Sequence, residues 1–161
     1  MINADKGNPV SDAFGLFLEA AVATEKYADS TFYRKVGIST PKYSVLQILA
    51  NADNPVTPSE IARRMIKERH DITTLIRRMK RDGLVDVTPS TTDKRSVIIT
   101  LTDKGRDKFV QAGPVAEEIA SQVMLKLSNN NLASMSKSLN TLKQNAFNGI
   151  DRFSKNPRKY Y

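Results

Sequence analysis

Arginine, lysine and threonine side chains are concentrated in residues 66–84, which read IKERHDITTLIRRMKRDGL. Arginine can make a bidentate pair with guanine, hydroxyls can serve several bases, and both cations bind phosphate. The same segment contains His70, the only histidine of the chain. These residue types fit contact with nucleic acid, but they are also typical of a solvated helix surface. The position of the segment in the fold therefore has to decide.

Apolar residues recur at helical spacing through this segment and give it an inside and an outside. The pattern predicts a helix from about Arg69, with Ile72, Leu75, Ile76 and Met79 inside and Asp82-Gly83 at its end. The residues that fall outside this stripe are His70, Asp71, Thr73, Thr74, Arg77 and Arg78. Thr73, Thr74 and Arg77 are the first candidates for contact with base edges or adjacent phosphates. Lys80 and Arg81, one turn further on, suit the phosphate backbone or no contact. A histidine at the position of His70 is more often a polar surface residue than a switch or a ligand.

The elements on either side of this helix predict how it is held. Thr57-Pro58-Ser59-Glu60 has the pattern of a capping box, so a short helix begins at Pro58 with Ile61, Ala62 and Met65 inside. After residue 83, two segments rich in β-branched residues (84–87 and 96–101) are separated by the polar residues 88–95, which indicates a hairpin with a long loop. Two short helices followed by a hairpin form a winged helix-turn-helix, so the fold class is mainly α with a small β-hairpin.

Longer helical patterns flank this unit. The pattern predicts a first helix over about residues 11–33, with an apolar stripe formed by Phe14, Phe17, Leu18, Ala21, Val22, Ala28 and Phe32. Thr40-Pro41 predicts the cap and first position of a second helix, which buries Tyr43, Leu46, Ile48 and Leu49 and stops near Asp53-Asn54-Pro55. The last third is helical with a break near residues 129–131 and a seam of Leu132, Met135, Leu139, Leu142, Ala146 and Phe153. The tail after Phe153 is expected to fray.

Composition excludes several classes of protein. The chain has 161 residues, 40% of them hydrophobic, and a net charge of +8; residues 60–108 hold 13 Lys or Arg against 8 Asp or Glu. This excess suits a polyanionic partner.

Without cysteine and with a single histidine, no metal site and no cofactor are expected. No apolar run could span a bilayer and no secretory signal is visible, so a cytoplasmic location with no membrane partner is the simplest expectation. No arrangement of catalytic residues is visible, so the chain is not expected to be an enzyme.

Residues 57–105 resemble the MarR (multiple antibiotic resistance regulator) family of prokaryotic transcription factors. The resemblance rests on Asp93-Lys94-Arg95 in the loop, followed by Ile99-Thr100-Leu101-Thr102-Asp103-Lys104-Gly105, which is similar to the family's D-x-R and L-T-x-x-G pattern. The arrangement of the terminal helices extends the similarity to most of residues 1–161. The resemblance implies a winged helix-turn-helix over residues 40–105 and dimerisation helices over residues 11–35 and 106–154.

The resemblance also implies a mechanism. It implies a homodimer that acts as a ligand-responsive repressor on a palindromic operator in double-stranded DNA, read by Arg69, His70, Thr73, Thr74, Arg77, Arg78, Asp93, Lys94 and Arg95. Arg95 matches the wing arginine that enters the minor groove, and Asp93 matches the acid that orients it. A small aromatic effector would bind near Tyr27, Phe32, Tyr33 and Tyr43, although core packing is the alternative role of each.

Two points stay open in the sequence. Many helix-turn-helix proteins have glycine where this chain has Ile66, so the turn geometry, and with it the choice among Arg69, His70 and Thr73 as the groove-facing residue, is undetermined. The alternatives to a ligand-responsive regulator are a DNA-binding module controlled by its own level or by a partner protein, and an RNA-binding winged helix. The operator, the effector, the regulated genes and the sign of regulation do not follow from the sequence.

Overall fold

The structure is a computed structural model that describes residues 7–91, 93 and 95–154, with only the backbone described for residues 151–154. These residues form six helices and one two-stranded sheet. The elements are α1 (Pro9–Val36), α2 (Thr40–Ala50), α3 (Pro58–Met65), α4 (Arg69–Arg81), β1 (Val85–Pro89), β2 (Val97–Leu101), α5 (Asp103–Val123) and α6 (Asn129–Ser154). The predicted fold class, mainly α with a β-hairpin in a winged helix-turn-helix, is confirmed.

Helix α1 is longer at both ends than the apolar pattern predicts. It begins one residue after Asn8, whose side chain accepts the backbone N–H of Val10 at 2.9 Å, and it ends at Val36, where Gly37 with φ 68° forms the C-cap. Polar capping and glycine, rather than hydrophobic spacing, therefore define its ends. Only the C-terminal part of its apolar stripe is buried, at Ala28 and Phe32.

The start of α2 corrects the predicted cap by one residue. Ser39 is the N-cap, without a side-chain hydrogen bond, so Thr40 and Pro41 lie inside the first turn. The backbone N–H of Thr40 is instead bonded to the Asp29 carboxylate of α1 at 2.8 Å, a partner far away in sequence. The helix ends at Ala50, shortly before the predicted breaker residues, and its most deeply buried residues are Val45 and Leu46. Val45 was not in the predicted buried face.

Helices α3 and α4 pack their apolar faces together as the sequence predicts. The core between them and the wing has fully buried side chains at Ile61, Ile72, Met79 and Ile99, and Ala62 is 7% exposed. Because close-packed side chains of this size each stabilise a fold by about 2–5 kcal/mol relative to alanine, this core fixes the pose of α4.

The wing is an antiparallel hairpin whose register pairs Val85 with Leu101 and Pro89 with Val97. Its strands begin one residue later than the predicted β-branched segments. A third segment joins the sheet at Val56, which bridges to Ile99, with the Ile99 N–H bonded to the Val56 carbonyl at 2.8 Å. The loop before α3 and the wing are therefore tied together by backbone hydrogen bonds.

Helix α5 starts against the wing at a close contact. Thr102 is its cap, because its hydroxyl accepts the Gly105 N–H at 2.9 Å and also donates to the Gly83 carbonyl at 2.7 Å. A Cβ at Gly105 would lie 2.0 Å from the carbonyl oxygen of Leu84. Only glycine fits at that position without displacing backbone.

The chain divides into two compact units, Met1–Ala120 and Ser121–Tyr161. In the second unit the helical break lies before the three asparagines rather than at them. Residues 124–128 form the break, and Asn129 to Asn131 are the first turn of α6, where Ser128 Oγ accepts the Asn131 N–H at 3.2 Å. The predicted break is therefore misplaced, because asparagine near a helix start is well tolerated through its polar side chain.

The predicted seam of α6 carries large apolar side chains that are exposed at Leu139 (39%) and Leu142 (43%). The side chain of Phe153 and the tail from residue 155, for which fraying was expected, lie outside the described residues. Within the described part of the chain, no helix has the length and apolarity needed to cross a membrane.

Candidate nucleic-acid interface

The outward face of α4 carries the residues that the sequence selects for DNA contact. Ile72, Ile76 and Met79 are buried, which turns the opposite face to solvent. The predicted contact residues on this helix are all exposed: Arg69, His70, Thr73, Thr74, Arg77 and Arg78. The basic residues Lys80 and Arg81 extend the same exposed surface to the C-terminal end of the helix.

The turn before α4 has an unusual backbone. Ile66 is in the left-handed conformation, with φ 53° and ψ 49°, at the position where glycine is common. The N–H of Lys67 returns to the Ala62 carbonyl at 3.0 Å, and Glu68 is the N-cap of α4 without a side-chain cap bond. The turn therefore keeps the tight left-handed geometry without glycine. Helix α4 starts at Arg69, as the apolar pattern predicts.

Two contacts within α4 orient side chains of the first turns. Thr73 Oγ1 donates to the Arg69 carbonyl at 2.9 Å, which uses its proton and leaves its oxygen able to accept from a base or amino group. His70 Nε2 lies 3.2 Å from Asp71 Oδ1, and both side chains are largely exposed. The first turns of α4 thus offer hydrogen-bond acceptors beside the cations of Arg69 and Arg77.

The wing loop is organised around Asp93. Its carboxylate accepts the backbone N–H of Arg95 at 3.0 Å, its carbonyl accepts the N–H of Ser96 at 2.9 Å, and its own N–H donates to Ser90 Oγ at 3.2 Å. The acid thus shapes the backbone that carries Arg95, whose side chain is exposed. Lys94 lies outside the described residues.

A second cationic group on α3 was not selected from the sequence. Glu60 accepts from Arg63 Nη2 at 2.8 Å and from Arg64 Nε at 2.7 Å. These two hydrogen bonds hold the pKa of the Glu60 carboxyl at about 2, below its ordinary 4.5. Half of the predicted capping box forms, since Thr57 Oγ1 accepts the Glu60 N–H at 3.2 Å, while the carboxylate bonds to the arginines instead. The i,i+3 and i,i+4 spacing of these charges was the available signal.

The C-terminal end of α4 is fixed by local backbone hydrogen bonds and by an ion pair with α2. Gly83 has φ 72°, and the N–H of Leu84 returns to the Met79 carbonyl at 2.9 Å, which completes a Schellman motif. Lys42 Nζ of α2 lies 2.6 Å from the Asp82 carboxylate, and this hydrogen bond lowers the pKa of that carboxyl. Lys42 was not a predicted site residue, because no local pattern links residues that lie forty positions apart.

The four aromatic residues predicted for an effector site are in different surroundings. Phe32 is buried and stacks on Tyr43 with ring centroids 4.7 Å apart, and Tyr43 stacks on Phe109 of α5 at 6.0 Å. Burial, and then the charge of Glu117, raises the pKa of the Tyr43 phenol. Tyr33 is 71% exposed and Tyr27 is 37% exposed. Phe32 and Tyr43 thus take part in packing, while Tyr27 and Tyr33 face solvent.

An open groove of about 530 Å³ lies between the end of α2, β2 and the start of α5. Its walls are mostly apolar, with Leu49, Ile98 and Phe109 among them, and Arg106 is its charged residue. Its volume is in the range of small-molecule sites. In the described part of the chain, no group of three or more His, Cys, Asp or Glu side chains is arranged to hold a metal ion.

Comparison with known proteins agrees with this geometry. Residues 36–96 match the sequence profile of the MarR family. The transcriptional activatory protein BadR of Rhodopseudomonas palustris is 38% identical over 72 residues, which are 44% of this chain and 41% of BadR. The HTH-type transcriptional repressor IacR of Pseudomonas putida is 34% identical over 86 residues, which are 53% of this chain and 51% of IacR. The chain thus matches these curated relatives over about half of their length.

The fold is shared over a larger part of the chain. Sco3205, a MarR family transcriptional regulator from Streptomyces coelicolor whose crystal structure contains DNA, superposes with a TM-score of 0.78. The match covers 83% of this chain and 84% of Sco3205, at 21% identity. The protein has the winged helix fold of MarR family structures, and residues 36–96 are similar to the sequence profile of that family. The resemblance stated from the sequence is therefore confirmed, and the matched family and relatives are transcriptional regulators rather than enzymes.

Proposed function

We propose that the chain is a sequence-specific regulator of transcription that binds double-stranded DNA through α4 and the wing. One observation carries the proposal: α4 buries most of its apolar stripe and turns Thr73, Thr74 and Arg77 outward beside a hairpin that carries Arg95. Helices of this width fit the major groove, where hydroxyls and arginine can discriminate between bases. The regulator would act in the cytoplasm.

The proposed working form is a homodimer on a near-palindromic operator. Exposed apolar side chains on one face of α1 support it, because Phe14 is 50%, Leu18 37% and Val22 65% exposed, and monomeric proteins rarely leave large contiguous apolar surface open. Two copies of α4 related by a two-fold axis would enter successive major grooves about 34 Å apart. We propose repression as the outcome, as named for IacR, although BadR is named as activatory.

The proposed regulation is release from DNA by a small aromatic effector. The groove beside Arg106 supports this, because it combines apolar walls with one cation. Such an effector acts only through its difference in affinity for two conformations of the dimer. The second candidate, a module without a sensor, is favoured by the stacking of Phe32 and Tyr43, which uses two of the predicted effector contacts for packing. Titrating the DNA-bound dimer with aromatic acids and phenols distinguishes the two candidates. If none of these compounds releases the DNA, the module without a sensor is favoured.

The wing assignment is tested by Arg95→Ala. An exposed arginine on a loop held by Asp93 can enter a narrow minor groove with little further loss of freedom. We expect the affinity for the DNA upstream of the protein's own gene, measured by mobility shift, to fall at least about tenfold. Arg34→Ala, which removes an exposed arginine from α1, is the matched control and should change the affinity much less. Equal affinities of the Arg95 variant and the unmodified chain would contradict the wing assignment.

The distinction from RNA binding uses the same assay. Direct readout of base edges predicts that single base-pair changes in a palindromic duplex each weaken binding by about 1–3 kcal/mol. An RNA-binding winged helix would be insensitive to these changes.

A further inference from the structure

Lys42 and Asp82 form an ion pair between two helices that the proposed DNA contacts do not use. Lys42 lies in the first turn of α2, and Asp82 is the residue that caps the C-terminal end of α4. Their side chains are 21% and 36% exposed, and Nζ lies 2.6 Å from Oδ2. A partly buried lysine of α2 is thus bonded directly to the end of the helix that would read DNA.

The carboxylate stands at a position that does not favour it. The C-terminal end of a helix carries partial negative charge, so an acidic group there is destabilising unless cations compensate. Two lysines do so here: Lys42 bonds the carboxylate, and Lys104 Nζ of α5 donates to the Asp82 carbonyl at 2.7 Å. An acidic residue at this position does not stabilise α4 by itself. Its role is instead to connect α4 to α2 and α5 through the two lysines.

The same turn of α2 is fixed to α1 and α5. Tyr43, next to Lys42 in the chain, stacks between Phe32 of α1 and Phe109 of α5. Thr40 is bonded through its backbone N–H to Asp29 of α1. One turn of α2 thus contacts α1 and α5 through ring stacking and a hydrogen bond, and contacts α4 through a charge pair.

We propose that Lys42 is a positioning residue for DNA recognition, which sets the angle of α4 through Asp82 and transmits displacements of α1 and α5 to it. The inference rests on the proposed function of α4. Lys42 does not touch DNA in this mechanism. Its effect is on how well the base-contacting side chains of α4 match their operator, and therefore on specific rather than general affinity.

Charge alone and positioning make opposite predictions for one variant. Asp82→Ala removes a negative charge from a DNA-binding surface, so electrostatics alone would tighten binding to every duplex. If Asp82 instead holds α4 in place, its loss weakens binding to the preferred sequence while affinity for a scrambled duplex stays equal or rises. Lys42→Met should weaken specific binding too. We expect a loss of about tenfold in each, in the range of couplings between linked elements.

The experiment measures two affinities for each variant by fluorescence anisotropy. The probes are a duplex enriched from a randomised library by the unmodified chain and a scrambled duplex of the same composition. Lys35→Met is the matched control, because it breaks the Lys35–Glu118 pair between α1 and α5 and removes the same charge without touching α4. The exchange Lys42→Asp with Asp82→Lys rebuilds the pair in reverse and should restore specific binding. Measurements are made well below the lowest melting temperature of the set.

Each outcome has one meaning. Loss of specific binding in both single variants, with recovery in the exchanged pair and little change in Lys35→Met, supports the proposal. Tighter binding of Asp82→Ala to both duplexes, or an equal loss on both duplexes that follows the melting temperature, overturns it while leaving the proposed function intact. Failure of the unmodified chain to enrich any sequence would overturn the proposed function, and this inference with it.

Discussion

Ile66 holds a left-handed backbone conformation that costs a β-branched residue free energy, and its side chain is 57% exposed. Little burial is lost if the side chain is removed. Ile66→Gly should therefore raise the free energy of unfolding by about 1 kcal/mol, since glycine adopts φ near 53° without the Cβ clash. Urea denaturation measures the change.

A control separates relief of the backbone from loss of the side chain. Ile66→Ala removes the same exposed surface but keeps Cβ, so it should gain much less stability than glycine does. If the glycine variant is no more stable than the unmodified chain, the turn does not store the strain that its φ indicates.

Glu60 makes stability depend on acidity. Its folded-state pKa of about 2 lies below its ordinary 4.5 because of the hydrogen bonds from Arg63 and Arg64. A depressed pKa means that the contribution to stability is complete above about pH 4.5 and is lost as the pH falls towards about 2. We measure melting temperatures of the unmodified chain and of Glu60→Gln across this range. The unmodified chain should melt higher at about pH 5 to 6, where Glu60 is ionised, and the two melting temperatures should converge on acidification. A constant difference would contradict the assignment of the pKa to this cluster.

Residues whose roles are local were predictable, and those with distant partners were not. Thr57 caps α3 and Gly83 ends α4 as expected, because each role depends on neighbours within a few positions. The cap of α2 was misplaced by one residue since Ser39 and Thr40 are both hydroxyl residues before a proline, and the distant Asp29 bonds to Thr40. Lys42 was missed for the same reason, as its partner lies in another helix.

At the scale of elements, hydrophobic spacing, capping patterns and β-branched content predicted the order and type of the helices and strands in the described residues, but not which faces are covered. The α4 stripe is buried as predicted except at Leu75, which is half-buried, whereas much of the apolar stripe of α1 is exposed. Periodicity reports that a face is apolar, and it does not report whether the covering surface belongs to the same chain. For the site, the pattern found the exposed face of α4. It could not find the left-handed Ile66, since the residue type argues against that conformation.

Because α5 packs closely against the wing at Gly105, adding one methyl group at this position should strongly lower the stability of the fold. A Cβ at Gly105 would lie 2.0 Å from the Leu84 carbonyl oxygen, which is backbone and cannot turn away. Gly105→Ala should therefore destabilise the fold by about 2 kcal/mol or more. In Gly149→Ala, inside α6, the added Cβ meets no group within 4 Å beyond its chain neighbours, and higher helix propensity should stabilise the chain by up to about 1 kcal/mol. Chemical denaturation of both variants checks the opposite signs, and a neutral Gly105 variant would contradict the close contact.

At the scale of the whole molecule, the exposed part of the α1 stripe predicts self-association. Phe14→Glu introduces a charge into this apolar surface, and burying an unpaired charge in an interface is costly. We expect the unmodified chain to sediment at about twice 17.9 kDa and the variant to shift towards a single chain, with a dissociation constant at least about tenfold higher.

The matched control is Val97→Glu, which places the same charge on an apolar residue of the wing that is 37% exposed. It should leave the mass unchanged. A monomeric unmodified chain at micromolar concentration, or equal dissociation by both variants, would contradict a dimer formed through α1.

The outer strand of the wing has a consequence for solubility. In the sheet, β2 lies between Val56 and β1, so β1 has one open edge. Strand edges of this kind invite pairing with strands of other molecules, and proline and charge are common defences. Pro89 ends β1 without an N–H to donate, and exposed Asp86 places a charge in its middle. The hairpin that carries Arg95 can therefore project into solvent without offering an edge on which further copies could assemble into aggregates.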